Sequence, residues 1–245
     1  MLGVLGAIML AAAPAAPGAC PGGPRTAPVA TSGGVRIGAI SYPASAPLAD
    51  HEIALTFDDG PDDEHTRQVL EILRRHCLRA TFFLVGQEAR SDPVTVRAIA
   101  AAGHTIGAHS QTHPDSLAAL PADAARAEIA DSFTEIRQAL APAPPEDRAR
   151  LLRFFRYPSL VDSPALNDWL AQQGIAVISA DLDADDWEDL GSEDILARAI
   201  IRTEQRKRGV LLLHDYNPQM IAILDRLIVA LERRGYRFVQ LTQAD

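Results

Sequence analysis

Asp58 and Asp59 are adjacent carboxylates at the end of an apolar run, just before a Gly60-Pro61 turn. Asp-Gly-Pro is often only a turn with helix-capping acids. At a strand end entering a turn, though, both side chains can reach one cleft, one to hold a metal ion and the other to stay free as a base. His109 and His113 stand at i and i+4. On one helical turn such a pair shares a face and offers two nitrogens to one ion. A lone pair of this kind is more often structural, and the balance reverses when an acidic strand end is available beside it. Two imidazoles and one carboxylate leave coordination positions open, as a catalytic metal site requires.

Three further groups fit the same chemistry. Arg156, ahead of Tyr157 and Pro158, is the residue type that pairs with a carboxylate and keeps it ionised and oriented. Asp183, Asp185 and Asp186 crowd around Trp187; several of these acids read as solvated, but an aromatic among acids is common where sugars stack. His214 closes the apolar run Leu211-Leu212-Leu213. A core histidine is the default there, and its place among the other polar groups favours a general acid. His51, His65, His76 and His104 have no such company and read as structural or exposed.

These side chains need elements to carry them. The apolar periodicity predicts strands over 53–57, 80–85, 105–108, 152–156, 175–180, 209–213 and 236–239. It predicts helices over 64–76, 93–102, 121–140, 164–173, 193–206 and 218–234, with Ser192 capping the fifth and Gly235 stopping the last. Residues 141–150 read as a Pro-rich loop. Alternating helices and fully apolar strands imply a parallel sheet covered by helices, in about seven units, as a barrel-like or doubly wound α/β fold. In such folds chemistry gathers at the C-terminal strand ends. Asp58, Asp59, His109, Arg156, Asp181, Asp183, Asp186, His214 and Asp215 all fall there.

The 245 residues suffice for one full core. Hydrophobic residues at 47% and charged residues at 22% are ordinary for a globular protein. A net charge of −9 argues against nucleic acid as a partner. Residues 1–19 are apolar with small residues toward their end and read as a secretory signal, so export to the periplasm or medium is expected. They are too short to span a bilayer comfortably, and Cys20 is a poor match to a lipoprotein processing site. Residues 20–51, rich in Gly, Pro, Ala, Ser and Thr, read as a linker or loose arm, and 52–245 as the catalytic domain. Cys20 and Cys77 can pair in an oxidising compartment, while a buried free thiol at Cys77 is an equal reading.

Five motifs occur in order: Thr56–Gly60 (TFDDG), 109–113 (HSQTH), 156–158 (RYP), 183–187 (DADDW) and 211–214 (LLLH). In these the sequence resembles the polysaccharide deacetylases of carbohydrate esterase family 4, the NodB homology domain, from about Glu52 to Leu241. The resemblance implies a distorted (β/α) barrel acting on an acetylated glycan; a monomer is expected. It implies that Asp59, His109 and His113 bind a divalent metal, usually zinc. Asp58 would be the base, oriented by Arg156, and His214 the acid, tuned by Asp186. Leu211 and Trp187 would line the pocket for the acetyl methyl, and Tyr157, Pro158 and Ser159 the groove, with a backbone N–H near Ser159 facing the oxyanion. One departure is that Ser159 and Leu160 stand where the family commonly has an aromatic and Gly. The implied activity is removal of N-acetyl groups from chitooligosaccharide- or peptidoglycan-type substrates. O-acetyl xylan, a formamido sugar lipid, or a non-catalytic glycan-binding role are the alternatives.

Overall fold

The computed structural model describes residues 25–244; residues 1–19 and Cys20, with the export and lipidation readings placed on them, lie outside. The chain begins with β1 (Thr26–Val29), β2 (Arg36–Ile37) and β3 (Glu52–Asp58). α1 (Asp63–Arg75), β4 (Thr81–Leu84), α2 (Gly86–Ser91), α3 (Pro93–Ala101) and β5 (Thr105–Ala108) follow. The middle of the chain forms α4 (Ala122–Leu140), α5 (Pro145–Arg148), β6 (Leu151–Phe155), α6 (Pro164–Gln172), β7 (Ala176–Ile178) and β8 (Leu182–Asp183). It closes with α7 (Ser192–Arg206), β9 (Gly209–His214), α8 (Pro218–Glu232), β10 (Arg237–Phe238) and β11 (Gln240–Gln243).

Among the described residues the main sheet runs β2-β7-β6-β5-β4-β3-β9-β8, with β10 also on β3, and every pairing is parallel. The parallel helix-covered fold is as the sequence implies. The sheet curls without closing, since no pairing joins β2 to β8 among the described residues. Strand alternation sorts the side chains into two layers. Ile53, Leu55, Phe57, Leu211 and Leu213 join the helices in one core, whereas Ala54, Phe83, Phe154, Ile178 and Val210 pack in a second. Thr56, Asp58, Leu212 and His214 share the parity of the second layer, and so line the concave face at its C-terminal end.

The helices carry the capping that their sequences imply in most places. Asp62 accepts the His65 N–H at 2.9 Å to start α1, which buries Val69, Ile72 and Leu73. Ser192 does not cap α7: the N-cap is Gly191, and Ser192 is the first helical residue. Within 141–150 the short α5 forms, and α2 appears where no helix was expected.

Residues 26–51 are not a loose arm. β1 pairs with β11, β2 pairs with β7, and Ala27, Val29, Ile37, Ala46 and Leu48 are buried in the second layer. Their apolar residues are too sparse to show a period, which is why composition alone read as a linker. The seam between this segment and β9 is held by Asp181. Its buried carboxylate accepts from the Ala39 N–H (2.9 Å), the Ser45 hydroxyl (2.6 Å) and the Val210 N–H (2.9 Å). Asp181 therefore sits near the polar rim but serves the scaffold. Cys77 is exposed and disulfide-bonded, which corrects the buried-thiol reading; its partner lies outside the described residues.

Candidate metal centre

Asp59 leaves β3 in a left-handed conformation (φ 73°), which swings its carboxylate away from that of Asp58. Gly60 is required beside it, because a Cβ there would stand 2.4 Å from Oδ2 of the buried Asp215. His109 follows β5, its N–H held by the Leu84 carbonyl at 2.9 Å. The segment from His109 to His113 is a loop and not the helical turn that the i, i+4 spacing suggested. Ser110 (φ 65°) and His113 (φ 53°) are left-handed, and the Ser110 hydroxyl accepts the His113 N–H at 3.0 Å. Convergence of the two imidazoles is thus made by a tight loop rather than by helix periodicity. Among the described residues, six of the nine non-glycine residues with positive φ, including Ser159, Leu160 and Asp185, belong to these rim loops. Strain of this kind persists where a site over-determines it.

Oδ1 of Asp59 lies 3.3 Å from Nε2 of His109 and 3.3 Å from Nε2 of His113. One donor atom from each of the three residues falls within 4.8 Å of the others. Nδ1 of His109 faces the Arg156 carbonyl at 2.9 Å, which directs Nε2 toward Asp59. Oδ1 of Asp59 is buried without a hydrogen-bond donor. An acceptor left so between two imidazole nitrogens fits a divalent cation of the nitrogen- and oxygen-binding type. Burial alone would raise the Asp59 carboxyl, but the close approach and charge of His109, with the charges of His214 and His113, hold it at about 2. Burial lowers His109 as well, and Asp58 and Asp59 outweigh it, so the net direction is upward. Ligation displaces that proton, as it does at any histidine ligand.

Asp58, the last residue of β3, is buried, with Oδ1 2.7 Å from Nη1 of Arg156. Arg156 is itself wholly buried. It donates to the Ile178 carbonyl (2.9 Å), the Ser179 carbonyl (3.1 Å) and the Thr56 hydroxyl (2.8 Å), and its guanidinium stacks 4.2 Å from the Phe83 ring. Such a web fixes the Asp58 carboxylate in one orientation. Opposite, Nδ1 of His214 is 2.8 Å from Oδ1 of Asp186, and the His214 N–H donates to Oδ2 at 2.8 Å. Burial would lower His214, but the Asp186 hydrogen bond and charge, with Asp58 and Asp59, push it up to about 9. Its Nε2 lies 3.9 Å from Asp59 Oδ2.

A cleft of about 810 Å³ opens over these groups. Tyr157, Ser159, Trp187 and His214 line it, as the sequence suggested. Tyr157 is nearly buried and gives its hydroxyl to Asn167 at 3.0 Å, so its ring forms wall more than floor. Pro158 is buried behind that wall and is not among the lining residues. Leu211 does not line the cleft either. Leu212 does, because it stands two positions before His214 on the same face of β9 while Leu211 points into the helix-facing core. Sequence reading also missed Ile40, Ser41 and Tyr216 at the rim. The first two come from the segment read as linker, where no periodicity marked them, and Tyr216 follows His214 closely enough to have been suspected.

A polysaccharide deacetylase family model matches residues 45–178. A peptidoglycan-N-acetylglucosamine deacetylase of Bacillus cereus is 32% identical over 208 residues, covering 82% of this chain and 70% of the relative. A chitooligosaccharide deacetylase of Sinorhizobium fredii is 31% identical, covering 78% and 90%. Among solved structures, a Bdellovibrio bacteriovorus peptidoglycan deacetylase superimposes with a TM-score of 0.79 at 28% identity. That match covers 91% of this chain and 60% of the other.

Proposed function

The chain belongs to the polysaccharide deacetylase family, and we propose that it removes N-acetyl groups from amino-sugar glycans of chitooligosaccharide or peptidoglycan type with a zinc ion at Asp59, His109 and His113. The observation that carries this reading is the placing of a buried base–guanidinium pair and a buried acid–carboxylate pair about one metal-ligating carboxylate. Asp58 Oδ2 is 3.7 Å from one ligand nitrogen, and His214 Nε2 is 3.9 Å from the Asp59 carboxylate. A divalent ion bound there supplies a Lewis acid for the acetyl carbonyl and lowers the pKa of water. Asp58, aimed by Arg156, takes the proton of the attacking water. His214 enters protonated and gives its proton to the departing sugar nitrogen, while Asp186 holds its ring and stabilises the cation. The backbone beside Ser159 supports the developing oxyanion, and Trp187 with Tyr216 offers stacking surface to a sugar ring.

Export is part of the proposal. The apolar start of the sequence and a disulfide-bonded Cys77 both suit an oxidising compartment outside the cytoplasm, and no helix of the described residues is long and apolar enough to cross a membrane. The test is acetate release from N-acetylglucosamine oligomers, peptidoglycan and acetyl xylan, with and without chelator, with amine and formate measured alongside. Acetate and new amine from the first two, lost on chelation and restored by zinc, is the expected result. Acetate without amine would transfer the activity to an esterase, formate to a deformylase, and no release from any substrate by zinc-loaded protein would leave a binding domain.

A further inference from the structure

The loop that carries both histidines is tied from one side by a residue with no place in the five motifs. Glu128, in the second turn of α4, directs its carboxylate at the stretch between His109 and His113. Oε2 accepts the backbone N–H of Gln111 (2.9 Å) and of Thr112 (2.8 Å), and Oε1 accepts the Thr112 hydroxyl (2.8 Å). Among the described residues these are the only hydrogen bonds of the Glu128 side chain, and no arginine pairs with it. From the other side the loop's carbonyls are held by α2: Gly86 N–H donates to Ser110 O (2.9 Å) and Gln87 N–H to Gln111 O (3.0 Å). The loop is therefore clamped between the start of one helix and an acid of another. α4 is a firm base for the clamp, since Ala125, Ile129, Ser132, Phe133 and Ile136 are buried along the stripe that Glu128 flanks.

The geometry assigns Glu128 as a positioning residue for the metal ligand His113. Two consecutive N–H groups aimed at one carboxylate form an anion-accepting nest with charge-assisted bonds. Without the acid, those donors turn to water and the left-handed backbone at Ser110 and His113 loses the contacts that hold it. The imidazole of His113 then samples positions away from Asp59, and the ordering of the ligand must be supplied when the ion binds. This inference rests on the reading of Asp59, His109 and His113 as a metal site.

Zinc affinity of the full chain, measured by competition with a chelator, tests it directly. Glu128→Ala should weaken zinc binding by about 10- to 100-fold, the range for residues that support ligands without touching the metal. Glu128→Gln, whose amide oxygen still accepts an N–H, should lose less, and Thr112→Val should fall between wild type and Ala. At saturating zinc the Ala variant should regain the wild-type KM, which a groove residue would not do. An unchanged zinc Kd in Glu128→Ala overturns the assignment. Should that variant not fold, an unchanged Kd in Thr112→Val overturns it instead. Wild-type protein that binds no zinc would overturn the metal reading along with it, so the two failures are distinguishable.

Discussion

Replacing Asp186 by Asn tests the acid half of the site with little change of shape. Asp186 is wholly buried, and each of its oxygens accepts one 2.8 Å bond from His214. His214 is 8% exposed and is pushed up from 6.5 to about 9. A rise of that size is worth about 3 kcal/mol of preference for the protonated ring. Asn removes the charge, and its amide nitrogen must face one of two donors. Burial then dominates and carries the imidazole to 6.5 or below. An acid that must enter protonated fixes the alkaline limb of kcat/KM, so the limb should move down by at least about two pH units. At pH 8 a ring of pKa 6.5 is about 3% protonated, which alone lowers kcat/KM by roughly 30-fold. A bound divalent ion lowers the ring in both proteins, so the difference between them is the quantity to read. The assay is kcat/KM against pH for metal-saturated wild type and variant. Coincident alkaline limbs would refute the reasoning. Linkage gives the same sign in the metal-free protein: a raised pKa stabilises below 6.5, and that stabilisation is lost as pH rises through about 9. Urea unfolding should show wild type losing this advantage over the variant between those values.

Asp58→Asn should keep the metal, because Asp59, His109 and His113 are untouched, while kcat falls by about 10²- to 10⁴-fold; undiminished turnover with stoichiometric zinc would take the base role from Asp58. Arg156→Met leaves the Asp58 charge buried without its 2.7 Å partner, and should cost about 3–5 kcal/mol in urea unfolding. A loss below about 1 kcal/mol would show that the guanidinium does not hold that carboxylate. Leu212→Phe should fill the cleft beside His214 and cut kcat/KM while leaving the fold intact. Leu211→Met, in the helix-facing core, should leave kcat/KM unchanged and cost less than about 1.5 kcal/mol of stability; the reverse pattern would place Leu211 in the acetyl pocket.

The strand ends were legible because an apolar run that stops at a charged residue states both the element and its rim. Asp58, Asp59, His109, Arg156 and His214 each terminate or follow such a run, and all converge in the fold. Parity along a strand is also present in the sequence, and on β9 it separates Leu212, which shares a face with His214, from Leu211. Legibility ends where function depends on loop conformation. The His109–His113 spacing fits a helical turn, yet the turn is built from left-handed Ser110 and His113, and no side-chain periodicity encodes a sign of φ.

A second limit is set by residues whose partners are distant in sequence. Asp181 and Asp186 both follow the apolar run 175–180, and apart from the family resemblance that singles out Asp186 nothing in their own neighbourhood separates them. One accepts from Ala39, Ser45 and Val210 and closes the seam of the sheet, while the other accepts twice from His214. Their roles are decided by which segment reaches them first. For Asp181 that segment is 39–45, which holds no apolar period because only Ile37, Ala46 and Leu48 around it need burying. A stretch with so few buried side chains can look like a linker and still be fixed in place, because a buried carboxylate and neighbouring carbonyls such as Ala180 take its polar groups. The same physics makes Glu128 invisible among the acids of an amphipathic helix: an acid that serves two backbone N–H groups carries no mark of it in its own neighbours.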